Sequence, residues 1–310
     1  AASIQQRKGP NRVGPFGLLQ PLADVVKLIL KEDITPSIAN PTIHFIAPVI
    51  SVALAVAAIG VLPFAPEIYI FDANFGVLYI FAVNSIAVYG VILAGVASNS
   101  KYSLLGGLRS SAQMLSYELS MGLSLVSIIL LTNVLQEGDA LRLTSVVEAQ
   151  KTIWYIFANP VGFLIFLTCS FAETNRAPFD LVEAEQELVG GFHTEYSSMK
   201  FGSFFVAEYI HVIVASAVIT TLFLGGYLAP GEGLLYELDF PRWLEILWGV
   251  GWFIAKTIVM IFVFLWVRWT LPRFKYNQLM DLGWKKFIPI ATVNLLVIAF
   301  IIAIITTINA

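Results

Sequence analysis

Seven stretches of this chain are too long and too continuously apolar for the surface of a water-soluble domain, and they restrict the fold more than any motif does. They fall near residues 43–63, 76–97, 114–135, 153–171, 203–228, 246–268 and 288–308. Each approaches the roughly 20 residues that a helix needs to cross a hydrocarbon core of about 30 Å. None shows the alternation of a barrel strand with one lipid face and one lumen face. The expectation is an all-α integral membrane protein, a polytopic helical bundle of seven spans. The composition agrees, with 58% apolar residues, 13% charged residues and a mean hydropathy of +0.80, well outside the soluble range.

Orientation follows from the basic residues, because Lys and Arg are retained on the cytoplasmic side during insertion. Loops 1–42, 98–113, 172–202 and 268–287 hold fourteen of the eighteen Lys and Arg residues, whereas the opposite loops hold only Arg142, Lys151 and Arg242. Lys256 lies within a span. The first set therefore faces the cytoplasm, or the matrix in an organelle. The single cysteine, Cys169, excludes an intrachain disulfide and a cysteine-held cluster. His44, His193 and His211 are too scattered for a metal motif, so no metal site and no redox centre are expected on this chain. No nucleic-acid partner is expected either.

The chain divides into a cytoplasmic-side leader, residues 1–42, and a membrane bundle, 43–310, that carries an acidic loop at 172–202. Gly9-Pro10, Gly14-Pro15 and Gly17 break any helix up to about Phe16. Leu18, Leu22, Val25, Val26, Ile29 and Leu30 then recur at helical spacing, with Asp24 and Lys27 off that stripe. This predicts a short amphipathic helix near 17–31, lying along the interface. The leader begins without Met and without an apolar signal, so a preceding segment is expected. No internal repeat is evident.

Two acids lie inside spans, Glu118 in "SAQMLSYELSMGL" and Glu208 in "FFVAEYIHVIV". An unpaired carboxylate at membrane depth costs about 2.5 to 3.5 kcal/mol on insertion scales. Each must face protein or water, or be protonated. One reading makes them a structural pair with Lys256 or His211; the other makes them proton carriers. Glu173 follows the 153–171 span in line with both, and opens the stretch "AETNRAPFDLVEAEQELVGGFHTEY", which adds Asp180, Glu183, Glu185, Glu187 and Glu195. A charge run is usually a solvated face, yet Phe179, Leu181, Val182, Leu188, Val189 and Phe192 interleave with this one. Such a loop should pack partly into the membrane surface. Arg7, Arg12, Arg109 and Arg176 lie on the same side and could pair with it, guanidinium binding carboxylate bidentately. The result would be a partly buried polar chamber with apolar walls, open to a ligand with a polar head and an apolar tail. For Arg109 an interfacial anchor is an equal alternative.

Four long motifs then carry a resemblance: "QQRKGPNRVGPFGLLQPLADVVKLILKED", "SNSKYSLLGGLRSSAQMLSYE", "AETNRAPFDLVEAEQELVGGFHTEYSSMKF" and "WVRWTLPRFKYNQLMDLGWKKFIP". Together, in order and over nearly the whole chain, they resemble the membrane-arm subunit of respiratory complex I that forms the quinone chamber, the NADH dehydrogenase subunit 1 family. The resemblance implies eight spans, the first of them missing here. It implies a role in coupling quinone reduction to proton translocation within a proton-pumping NADH:quinone oxidoreductase. Residue by residue, Asp24 looks like the acid lining the quinone tunnel and Arg7 like its basic neighbour. Glu118, Glu173 and Glu208 resemble the intramembrane glutamates that carry the proton coupling. Glu183, Glu185, Glu187 and Glu195, with Arg176 as local cation, resemble the acidic loop bordering the quinone, and Phe205 looks like a wall residue. Asn277 departs from the family, which usually shows aspartate there.

The implied substrate is a quinone, ubiquinone or menaquinone, with nothing bound covalently. NADH, FMN and the iron–sulfur clusters would sit on partner subunits. Those partners would be the iron–sulfur subunits of a soluble arm at the cytoplasmic or matrix face, small and antiporter-like membrane subunits, and lipid. The wording of the acidic loop points to a bacterial cytoplasmic membrane, with the mitochondrial inner membrane as the alternative. Rival readings are the homologous membrane subunit of an energy-converting hydrogenase or related dehydrogenase, a secondary ion transporter, and a structural anchor for a soluble arm. A transporter should show repeats, and an anchor would leave the buried acids idle.

Overall fold

The computed structural model describes residues 2, 4–136, 138–180, 189–232 and 241–309. Glu183, Glu185 and Glu187 therefore lie outside the described residues. All regular structure among those described is helical: α1 (Gln20–Leu30), α2 (Pro41–Ile59), α3 (Gly76–Ala97), α4 (Lys101–Leu135), α5 (Leu143–Ala149), α6 (Tyr155–Ala158), α7 (Pro160–Glu173), α8 (Ser198–Phe223), α9 (Arg242–Thr270), α10 (Tyr276–Asp281) and α11 (Ile288–Asn309). A π-helical turn, Leu282–Phe287, joins α10 to α11.

Among the described residues, six helices are long and apolar enough to cross a membrane: α2, α3, α4, α8, α9 and the run from α10 through α11. The chain is a multi-pass membrane protein. The 153–171 stretch does not form one span as expected. It is interrupted after α6, and α7 has only 14 residues, about 21 Å at 1.5 Å per residue. The cause is local. Pro160 cannot donate an N–H to a continuing helix, while the Asn159 side chain accepts the Gly162 N–H at 2.9 Å and starts a new one.

Two segments expected as loops are largely helical. α4 begins at Lys101 and runs 35 residues, about 52 Å, so its first turns project beyond a core of about 30 Å. Small buried residues along it, including Ser103, Gly106, Gly107, Ser110 and Ser116, let neighbouring backbones approach closely. The second segment, 268–287, folds into α10 and the π turn against α4, where the Tyr117 hydroxyl donates to Leu279 O at 2.9 Å and the Trp284 indole N–H donates to Ser116 Oγ at 3.0 Å.

The α4 helix is the centre of the bundle. It packs on α3, α7 and α11, while α2 packs on α3 and α8, and α8 on α9. Of the most apolar stretch in the α10–α11 run, only 11% is buried inside the chain, which leaves its apolar side chains to lipid or to a neighbouring subunit. The predicted amphipathic helix is α1, preceded by a 3-10 turn at Pro15–Gly17. It is tied down at its C-terminal end. Ser198 Oγ lies 3.0 Å from Leu28 O and 2.8 Å from Lys31 O, and Lys200 Nζ lies 2.9 Å from Asp33. Leu18, Leu22, Val26 and Ile29 face outward.

Candidate functional site

Helices α2, α3, α4, α7 and α8 line a cavity of about 60 Å³, with Glu173, Glu208, His211, Asn84 and Ser51 in its wall beside Met114, Phe192, Phe204 and Phe205. Two smaller cavities adjoin it. One of about 20 Å³ shares Glu173, Asn84 and His211, and one of about 10 Å³ shares Glu173 and Asn84 and reaches Glu118. Glu173 and Asn84 thus line all three.

The three glutamates proposed from sequence lie along this one series of spaces. Asn84 hydrogen-bonds the Glu173 carboxyl, and Glu118 is close enough to act on Glu173 electrostatically. The Ser85 hydroxyl donates to Glu118 Oε1. Glu208 and His211 stand one turn apart on α8, and both face the first of these cavities.

Neither Lys256 nor His211 is the cation that holds Glu208. The Arg176 guanidinium forms an ion pair through Nε with Glu208 Oε1, the Arg176 side chain being 6% and the Glu208 side chain 15% exposed. Arg176 also lies over the Tyr209 ring, 4.5 Å from its centroid, a contact worth about 0.5–2 kcal/mol as it becomes desolvated. Arg176 therefore points into the bundle, where α8 presents both of its partners.

Gln113 supports this arrangement and was not singled out in the sequence. It is fully buried, and its amide nitrogen reaches Ala172 O at 2.8 Å and Phe179 O at 2.9 Å. Those bonds hold the turn that leaves α7 and so place Glu173 and Arg176. Beyond it, Arg273 pairs with Asp180 at 2.7 Å, and the Phe274 N–H donates to Pro178 O at 3.1 Å. Asn84 and Ser85 were also passed over. Their signal was present: two adjacent polar residues inside the apolar run "FAVNSIAV".

The turn Gly191–His193 lines one end of the cavity with Phe192 and His193. It sits directly against α4 at Gly106, where an added Cβ would lie 2.8 Å from Phe192 N. A side chain at 106 would push the turn away. Phe192 packs edge-on against Phe204 at 5.1 Å and against His193 at 5.0 Å, and Phe205 lies 5.9 Å from His193. Glu195 is half-buried beside Tyr196, whose ring stacks on His44 at 3.9 Å and 3°. Burial raises the Tyr196 phenol above its ordinary value.

Arg7 and Asp24 do not line these cavities. Arg7 is exposed and bonds Gln5 at 2.9 Å, and Asp24 accepts from Gln20 at 3.2 Å and lies 3.7 Å from Lys27. Arg109 stacks near Tyr276 at 5.9 Å. No group of three or more His, Cys, Asp or Glu residues suited to a metal occurs among the described residues.

The sequence matches the family described as NADH dehydrogenase over residues 1–299. The chain belongs to that family. A relative from Rhodothermus marinus, NADH-quinone oxidoreductase subunit 8, is 56% identical, covering 97% of this chain and 89% of the relative. An NADH-quinone oxidoreductase subunit of Salinibacter ruber is 53% identical over 96% and 87%, and one of Geobacter metallireducens is 50% identical over 97% and 88%. These relatives are subunits of an enzyme complex. As a member of the NADH dehydrogenase family, this chain carries its buried acids where a membrane subunit could use them.

Proposed function

We propose that this chain is a membrane subunit of a proton-pumping NADH-quinone oxidoreductase, bordering the quinone site and coupling quinone reduction to proton movement through Glu208, Glu173 and Glu118. One observation carries the reading: three adjoining cavities join these carboxylates through Glu173 and Asn84.

Size separates the two tasks. A cavity of about 60 Å³ has room for a few waters, each needing about 10–15 Å³ on the same measure, whereas small-molecule pockets run to about 300–1,000 Å³. The enclosed space thus suits a hydrated proton path, and the quinone belongs outside it. Glu195 and Phe205, the exposed Arg7 and Asp24, and Glu183, Glu185 and Glu187 of the acidic loop are the residues we assign to that border, while Arg176 holds Glu208 on its inner side. The quinone, ubiquinone or menaquinone, takes two electrons and two protons. The electrons come from iron–sulfur clusters on a soluble partner, with NADH and FMN further along that arm.

Charge arriving at the border acts inward. At an effective dielectric near 20, a unit charge at 4 Å is worth about 4 kcal/mol, and each 1.36 kcal/mol is one unit of pKa. That is enough to redistribute a proton among carboxylates that already sense one another. Water in the cavities carries it, and the remaining membrane subunits receive the signal. The bacterial names of the relatives favour a bacterial cytoplasmic membrane, and those names favour the quinone reductase over the hydrogenase reading.

The test is Glu173→Gln in assembled complex. NADH-driven acidification of inverted vesicles is expected to be lost. Unchanged acidification per NADH oxidised would overturn the role of Glu173.

A further inference from the structure

The α8 helix ends at Phe223, and residues 224–229 form a turn that is buried almost throughout. A buried turn must satisfy its carbonyls, and the end of a helix concentrates unpaired ones together with the negative end of its dipole. Gly225 and Gly226 adopt φ of +71° and +50°, which turns the chain back on itself. Thr220 O then accepts from the N–H groups of Leu224 and Gly226, at 3.1 and 2.9 Å. Gln150, fully buried, takes Thr221 O at 3.0 Å and the Gly225 N–H at 3.0 Å.

Three further carbonyls of the turn are taken by one residue. Lys256 Nζ lies 2.6 Å from Leu224 O, 3.1 Å from Gly226 O and 2.6 Å from Leu228 O. It also sits 4.3 Å from the Trp154 ring centroid. An ammonium has three donors and no acceptor, and this site offers three acceptors and the face of a π system. A neutral amine would turn its lone pair toward a carbonyl. Among the described residues no carboxylate lies within ion-pair distance of Lys256. The geometry is that of a site for an ammonium held by dipoles, with Glu232 close enough to add its charge.

Its location gives that charge a task. The proposed proton path ends on the outer side at Val214 and Val218 of α8. Between there and the Lys256 cage lie Ile219, Leu222 and Phe223, each at most 2% exposed, and Phe223 meets Phe163 and Phe166 at 5.4 Å. A proton leaving outward would meet a dry layer and then a fixed positive charge, and pores exclude protons and cations by such electrostatic barriers.

We propose that Lys256 is a positioning residue that seals the outer end of this subunit, its carbonyl-bound ammonium both locking the turn after α8 and barring protons from the outer face. The seal rests on the proton-path reading above. Protons in the cavities then have no outward exit through this chain and are passed sideways to neighbouring subunits.

The test uses assembled complex in sealed vesicles with Lys256→Met, Lys256→Gln and Lys256→Arg, a quinone-site inhibitor being present to stop turnover. The readout is the decay of an imposed pH gradient. Gln keeps polar donors for the carbonyls without charge, and Arg keeps the charge. The proposal expects decay several-fold faster in Met and Gln and near the parent rate in Arg, with uncoupled NADH oxidation little changed in all three. Tight vesicles with both Met and Gln would overturn it, and so would a leak in Met alone, which would reduce Lys256 to a lock on the turn. If Glu173→Gln abolishes acidification while the Lys256 variants stay tight, the path stands and the seal falls.

Discussion

The Arg176–Glu208 pair invites the most demanding test, because its two members were not expected to meet. Both side chains are largely buried, and removing one partner of a buried pair costs about 3–5 kcal/mol, since it strands the other charge. A whole domain is stable by only about 5–15 kcal/mol. Arg176→Gln and Glu208→Gln are therefore each expected to lower the heat-inactivation midpoint of the complex and the fraction assembled on a native gel. Glu208→Gln should be the milder, because Arg176 keeps the Tyr209 ring at 4.5 Å. The double variant carries no stranded charge and should recover most of the loss, giving a coupling of roughly 0.5–3 kcal/mol, the range seen for residues in contact. Recovery of assembly without recovery of proton translocation would assign Glu208 a role in the path beyond packing. A double variant no more stable than the worse single variant would refute the pairing as a source of stability.

Other tests follow from neighbouring contacts. Ser85→Ala removes the hydroxyl that donates to Glu118, a hydrogen bond worth about 0.5–1.5 kcal/mol; coupled activity should fall with assembly retained, and unchanged acidification would separate Ser85 from the path. Gln113→Leu removes the side-chain donor from Phe179 O and from Ala172 O, which keeps the Asn175 N–H at 3.4 Å; an unpaired buried carbonyl costs about 1–3 kcal/mol, so proteolysis after α7 should become faster. Tyr196→Phe removes a buried hydroxyl that has no hydrogen-bond partner among the described residues and should change stability by no more than about 1 kcal/mol near neutrality. Its effect should appear in alkali. A phenol whose pKa is raised on folding contributes stability that is present below the ordinary value of 10.0 and lost as pH rises beyond it. Tyr196→Phe should relieve part of the alkaline loss, and Tyr227, raised by burial in the same direction, should retain the rest. An identical alkaline profile in parent and variant would remove Tyr196 from that account.

Much of the site was legible because acid inside an apolar run is costly and therefore conspicuous. Glu118, Glu173 and Glu208 could be proposed on that ground, and the cavities do place them together. Their partners could not be read. Arg176 and Glu208 are separated by the acidic loop, and only the packing of α7 beside α8 decides that Glu208 meets this arginine rather than Lys256 or His211. The break at Asn159-Pro160 was written in the chain, yet the apolar average over 153–171 concealed it. Asn84, Ser85 and Gln113 were hidden differently, since a neutral amide or hydroxyl in a span signals little until its partner is known.

Hydropathy alone determined the membrane setting, the all-helical class and the amphipathic helix α1. Those properties sum over many residues against water or lipid, so no particular contact is needed to read them. The tertiary structure decided which carboxylates share water, which guanidinium holds Glu208, and what surrounds Lys256. The last is the clearest case: its ligands are backbone carbonyls, which every residue carries, and only a turn shaped by two glycines brings three of them to one point.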